Sequence, residues 1–264
     1  MDGLRNLAAL DHGIEAALRN DRIAALGGLA AVVLLAWLYL WHGAAMMDPA
    51  STATVATVRA PDAVALALTF LMWVVMMAGM MLPSAAPTIL MYGAMVRKNG
   101  ERGTVLPGVW IFAGAYLLVW AGFSVVATLL QALLEYASLL TPEMTSASAV
   151  LSALALVAAG AYQLTPLKQT CLNKCRNPVE FFVTRWRAGS GGAFRMGLEH
   201  GAYCVGCCWA LLLLLFVAGV MNLGWIALIA GFVLVEKLFP AVPGVSRTTS
   251  TALILTGLYL LITS

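Results

Sequence analysis

Long apolar runs separated by short polar segments make up most of the chain. A membrane-spanning helix needs about 20 predominantly apolar residues. Seven windows meet or approach this length, at residues 23–41, 62–82, 105–131, 148–164, 197–219, 222–239 and 248–263. The pattern predicts an all-α fold, a polytopic transmembrane helical bundle of about seven spans.

Two prolines interrupt the second window. Pro83 and Pro87 follow residues 62–82, and proline disrupts a helix interior because it lacks an N–H and its ring clashes with the preceding turn. We therefore expect the second helix to stop or kink there. The next apolar segment, ILMYGAMV, is too short to cross a membrane alone and is interpreted as re-entrant or surface-bound.

Composition supports a lipid environment. The chain is 62% hydrophobic and only 10% charged, whereas soluble domains carry roughly 25% charged residues. The net charge of +3 is spread over separated basic clusters, so a nucleic-acid partner is not expected. The expected partner is the lipid bilayer.

The positions of Lys and Arg predict the topology. With seven spans, 14 of the 15 basic residues fall on one side of the membrane, and the positive-inside rule makes that side cytoplasmic. The prediction divides the chain into a cytoplasmic N-terminal surface helix at 1–22 and a single transmembrane domain at 23–264. A basic loop at 165–196 would serve as a cytoplasmic charge anchor.

The fifth window opens with ionisable and thiol side chains. Its sequence GLEHGAYCVGCCWALLLL contains Glu199, His200, Cys204, Cys207 and Cys208. At about 100° per residue, the histidine and the three cysteines share one helix face. Ionisable groups inside a membrane are costly and usually functional, so we interpret this face as part of a metal site. Packing of small residues against a neighbouring helix is the alternative.

Other windows carry further candidate ligands. In the second window the methionines recur at helical spacing, which favours either a thioether surface or ordinary packing; they include Met76, Met77, Met80 and Met81. Glu236 and Lys237 lie at the same predicted depth, either at the site or as a mutually neutralised pair. Cys171 and Cys175 lie on the predicted cytoplasmic side, as a ligand pair or by chance.

The ligand types favour a soft metal. Thiolate and thioether ligands select Cu(I), whereas Cys and His without Met suit Zn equally well. The methionines therefore favour Cu(I) over Zn.

The chain resembles a bacterial family of uncharacterised, predicted metal-binding integral membrane proteins. The resemblance rests on the segments MWVVMMAGMMLPSAAP, YQLTPLKQTCLNKCRNP and GLEHGAYCVGCCWALLLLLF and extends from about residue 65 to 263. It implies a multi-pass protein of the bacterial inner membrane with a metal site. The resemblance assigns the ligand role to His200, Cys204, Cys207, Cys208, Cys171 and Cys175, and less directly to the methionines.

Three functional hypotheses follow. The first is a protein that binds and transports or hands over Cu(I), with a soluble metallochaperone or a larger membrane complex as partner. The second is a membrane thiol-disulfide oxidoreductase that uses Cys204 and Cys207, since a helical Cys-x-x-Cys pair can be redox active. The third is a structural or assembly subunit of a larger membrane complex.

Overall fold

The structure is a computed structural model that describes residues 2–46, 62–99, 105–141, 145–239 and 244–263. In these ranges the chain forms helices, joined by turns and one isolated antiparallel bridge between Leu140 and Ser146. In chain order the helices are α1 Asp2–Met46, α2 Ala63–Lys98, α3 Val105–Tyr136, α4 Ala149–Gln163, α5 Pro166–Arg176, α6 Pro178–Arg185, α7 Gly189–Leu212, α8 Leu215–Ala218, α9 Leu223–Leu238 and α10 Val245–Thr263. The predicted all-α class is confirmed for the described residues.

Four described helices are long and apolar enough to cross a membrane. They are Asn20–Ala44 within α1, then α2, α3, and the stretch Gly189–Ala218 that joins α7 to α8. The count becomes five if α4 and α5, which bend by 64° at their junction, form one span. The seven predicted spans and the cytoplasmic N-terminus are not confirmed. The predicted N-terminal helix at 1–22 is the first part of α1, which continues into the first span without a break.

Helix α2 does not stop at its prolines. It runs through Pro83 and Pro87 to Lys98, so the predicted re-entrant segment is instead part of its last three turns. Prolines are tolerated in such helices where neighbouring helices and side chains support the backbone. Near the two prolines, the hydroxyl groups of Ser84 and Tyr116 both donate to the carbonyl oxygen of Met81, at 2.8 and 3.2 Å, and the Tyr116 bond ties this part of α2 to α3.

The region expected to be a basic loop contains two short helices. Thr165 caps α5 by accepting from the backbone N–H of Lys168, and prolines occupy the first turns of both α5 and α6, where their missing N–H costs little. Lys168 is completely buried, so it does not belong to a solvated charge anchor.

Close packing of α7 on α3 positions the candidate site. Gly197 and Gly201 lie one turn apart on α7, where a Cβ at Gly197 would collide with the carbonyl oxygen of Phe112 and one at Gly201 would lie 2.9 Å from Val119. Small residues at this spacing let two helices approach closely. The same α7 face continues to Cys204, which therefore points at α3.

Substitution of Gly201 by leucine should weaken this helix contact. Overpacking of a tight interface costs roughly 1–3 kcal/mol, so the thermal unfolding midpoint of Gly201→Leu in detergent should fall below that of the wild type. Gly114→Leu is the matched control, because Gly114 is exposed on α3 with nothing within 4 Å of an added Cβ. Equal midpoints for the two variants would contradict the proposed packing.

Candidate metal centre

All five cysteines gather where α5 meets α7. Helix α5 contributes Cys171 and Cys175, one turn apart, and α7 contributes Cys204, Cys207 and Cys208; all five are free. The Cys175 thiol is within hydrogen-bonding reach of Cys204 and Cys207, and the three α7 thiols are within reach of one another. We call Cys175, Cys204, Cys207 and Cys208 the thiol cluster. Its four members are buried, and Cys171 is half-buried beside it.

Cys204 is the most connected member of the thiol cluster. The Lys237 ammonium donates to its sulfur at 2.8 Å and to the Ser84 hydroxyl at 3.1 Å. The Tyr116 hydroxyl lies 3.1 Å from the same sulfur. A buried ammonium is costly unless it is paired, so the contact with Cys204 satisfies Lys237. It also places a positive charge beside the sulfur atom to which a metal ion would have to bind.

Glu236 and Lys237 do not pair with each other. The carboxylate of Glu236 binds Lys168 Nζ at 2.6 Å, and both side chains are at most 1% exposed. Arg176 Nε also donates to the Glu236 backbone carbonyl at 2.8 Å. The expected alternative of a mutually neutralised Glu236 and Lys237 pair is therefore wrong, because the two adjacent side chains take different partners. Glu236 is occupied by Lys168 rather than joined to the thiol cluster.

His200 lies one turn before Cys204 in an aromatic cage. Its ring centroid is 6.0 Å from that of Phe112 and 5.7 Å from those of Tyr116 and Phe181. The imidazole is 2% exposed and its Nδ1 atom has no hydrogen-bond partner among the described residues. A buried nitrogen without a partner costs free energy, and such an atom fits the chemistry of a metal ligand.

Glu199 points away from the thiol cluster. Its carboxylate forms ion pairs with Arg185 at 3.7 Å and Arg195 at 3.4 Å. Its side chain is 21% exposed. The structure therefore places Glu199 among basic side chains at the edge of the bundle, apart from the other ligand candidates on α7.

The predicted methionine surface is fully buried. At most 1% of each residue is exposed for Met76, Met77, Met80 and Met81. The described link to the site is the carbonyl oxygen of Met81, which accepts from Tyr116. Burial is also what packing requires, so a thioether ligand role for these methionines stays a prediction.

The thiols are close together without forming a ready metal site. Among the described residues, no three His, Cys, Asp or Glu side chains are arranged to hold a metal ion. The side-chain orientations explain this, since Cys207 and Cys208 donate to the backbone carbonyl of Cys204 at 3.1 and 2.8 Å. The Lys237 ammonium in turn donates a hydrogen bond to the Cys204 sulfur. Binding of a metal ion would require these thiols to rotate and Lys237 to withdraw.

Three partners of the site were missed in the sequence. Tyr116 and Ser84 lie in apolar segments with no distinguishing pattern. Lys168 does carry a signal, because it shares one buried face of α5 with Leu172 and Cys175 at the spacing i, i+4 and i+7.

Comparison with family models assigns the chain to a protein family. The model of the family PpoB2, described as a copper chaperone, matches residues 70–260. This range is most of the chain and contains every residue of the thiol cluster, so the chain belongs to this copper chaperone family. Searches of curated proteins and of solved structures found no match.

Removing one partner of the buried ion pair between Lys168 and Glu236 should cost more stability than removing one partner of an exposed pair. Removing one partner of a buried pair typically costs about 3–5 kcal/mol, because the other charge stays buried. We therefore expect Lys168→Met to lower the free energy of unfolding by about this amount.

Lys174 and Glu180 provide the control, since they pair at the same 2.6 Å but are 33% and 54% exposed. Lys174→Met should cost less than about 1 kcal/mol. Denaturant unfolding in detergent compares the two variants, and a similar small loss in both would contradict burial of Lys168.

Proposed function

We propose that this member of the copper chaperone family carries Cu(I) as its cargo within a membrane and holds the ion at the thiol cluster. One observation carries the proposal: the buried Cys175 thiol of α5 lies within hydrogen-bonding reach of Cys204 and Cys207 of α7, beside Cys208. The three α7 thiols spread over about 6 Å along the helix axis, because Cys204 and Cys208 are four residues apart. Cys175 of α5 adds a fourth thiol from a second direction.

The donor set supports Cu(I) as the cargo. Thiolate and histidine ligands suit Cu(I) and Zn alike, whereas thioether ligands favour Cu(I), so the buried methionines of α2 favour copper. The family description, copper chaperone, agrees with this preference.

Lys237 gives the site a way to release a bound cation. Its ammonium and a bound cation would compete for the sulfur of Cys204, which Lys237 contacts at 2.8 Å. Ser84, at 3.1 Å from Lys237, offers the displaced ammonium a remaining partner. This competition lowers affinity, which suits a protein that must release its cargo.

The other candidate ligands receive different roles. His200 is the proposed additional ligand, because its Nδ1 is buried without a partner. Met76, Met77, Met80 and Met81 would relay the ion through weaker thioether contacts. We assign Glu199 and Glu236 to their ion pairs, with Arg185 and Arg195 and with Lys168, and not to metal binding.

Location in the bacterial inner membrane completes the proposal. The four or five helices of sufficient length and apolarity support a multi-pass protein. With the seven spans predicted from the sequence, the distribution of Lys and Arg supports a cytoplasmic N-terminus and a cytoplasmic location for α5 and α6. A soluble copper carrier or a larger membrane complex would then exchange Cu(I) from that side.

Loss of one thiol from either helix should weaken Cu(I) binding. We expect Cys175→Ser and Cys204→Ser, purified anaerobically in detergent, to lose more than about tenfold in Cu(I) affinity, the lower end of what even supporting groups contribute at metal sites. Competition with a chromophoric Cu(I) chelator gives the affinity. Ala210→Ser is the control, because it adds a buried hydroxyl to α7 outside the thiol cluster.

Wild-type affinity in both cysteine variants would refute the thiol cluster as the cargo site.

The oxidoreductase hypothesis predicts two other observations, absence of copper and oxidation of the cysteine pair. If the protein bound no copper and its peptide containing Cys204 and Cys207 lost two hydrogens on oxidation, the pair would be redox active instead.

A further inference from the structure

Cys171 connects the thiol cluster to the surface. It is half-buried, whereas the other four cysteines are buried. Its sulfur also lies against α7, so close to Gly206 that an added Cβ there would be 2.8 Å from it. Gly206 directly precedes Cys207 of the thiol cluster on α7. One side of Cys171 therefore faces the thiol cluster, and the other faces the exterior.

The exterior around Cys171 is mixed in polarity. Helix α5 exposes Thr170 and Asn173, with Lys174 half-buried next to them, and it also exposes Leu167, one turn before Cys171. The spanning helix α3, in contrast, exposes large apolar side chains such as Val126 and Leu129. The polar side chains of α5 offer a water-soluble partner contacts beside the exposed edge of Cys171.

Gly206 makes the contact between α5 and α7 possible. Its Cα faces the Cys171 sulfur, and its carbonyl oxygen accepts from the Tyr162 hydroxyl at 2.5 Å. Tyr162 precedes the bend between α4 and α5, so the hydrogen bond fixes the position of that bend on α7. A Cβ at 206 would lie 2.8 Å from the Cys171 sulfur, so the Cys171 side chain would have to turn away from α7.

We propose that Cys171 is the transfer thiol, through which a water-soluble Cu(I) carrier with thiolate ligands loads and unloads the thiol cluster. The inference rests on the proposed function and adds the route and the chemical class of the partner. Cys171 and Cys175 occupy the same face of α5, one turn apart. An ion bound at Cys171 would thus reach Cys175 or Cys207 without crossing an apolar layer.

The transfer is a ligand exchange without a change of oxidation state. A Cu–S bond forms between Cu(I) and Cys171 as a Cu–S bond to the carrier breaks, and the proton of the Cys171 thiol passes to the released carrier thiolate. In the second step, a Cu–S bond forms to a thiol of the cluster and the bond to Cys171 breaks. The proton of that thiol then returns to Cys171.

The test separates equilibrium binding from the rate of transfer. The probe is the Cu(I) complex of glutathione, a soluble thiolate carrier, mixed anaerobically with the full-length protein in detergent. We expect Cys171→Ser to bind the wild-type amount of copper but to load at least about tenfold more slowly, comparable to the effect of one supporting group at a metal site. Gly206→Ala should slow loading in the same way while leaving all five thiols in place.

Thr170→Ala is the control, because it changes an exposed neighbour on α5 without removing a thiol, and it should load at the wild-type rate. A second measurement uses protein already loaded with copper: alkylation of Cys171, the accessible thiol, should trap the ion against removal by a chelator. This readout does not depend on folding of a variant.

Three results would overturn the transfer role. Loading of Cys171→Ser at the wild-type rate would show that copper enters elsewhere, while the cargo site itself would stand. Loss of bound copper in Cys171→Ser, as severe as in Cys175→Ser, would make Cys171 a holding ligand. If the wild type bound no copper, both the cargo site and the transfer role would fall.

Discussion

The burial of Lys237 against Cys204 is the constraint on which the site depends. An ammonium group that is 5% exposed must have polar partners, and the described partners are the Cys204 sulfur and the Ser84 hydroxyl. These contacts bind the end of α9 to α7 and α2. Tyr116 adds α3 through the same sulfur. Cys204 is consequently the point at which four helices meet.

A second buried contact, between Glu236 and Lys168, fixes the orientation of Lys237 towards Cys204. Glu236 precedes Lys237 on α9 and binds Lys168 of α5 at 2.6 Å. Because the two adjacent side chains point to different helices, α9 is held to α5 by one and to α7 by the other. The same arrangement sets α5 against α7, which is where Cys175 meets the other thiols. The buried contacts of Glu236 and Lys237 therefore hold together the helices that carry the cysteines.

The spacing of apolar and polar residues predicted the helices better than the contacts between them. The all-α class followed from the apolar windows, and the shared α7 face followed from helical spacing; the structure buries His200, Cys204, Cys207 and Cys208. The course of α2 past Pro83 was not predicted, and the contact seen next to it, from the Tyr116 hydroxyl to the Met81 carbonyl, joins residues 35 apart in the chain. Likewise, Lys168 is buried because of Glu236, 68 residues away. Periodicity can mark the buried face of α5 that carries Lys168, but it does not identify the partner on a distant segment.

X-ray absorption at the copper edge is the most direct measurement of cargo binding by the thiol cluster. The protein would be loaded anaerobically with Cu(I), and the atoms bound to the metal would be identified in the wild type and in Cys175→Ser. The proposed site predicts Cu(I) bound mainly by sulfur, with loss of sulfur ligation in the variant. Copper bound only by nitrogen or oxygen, or an identical sulfur environment in both proteins, would contradict a site shared by α5 and α7.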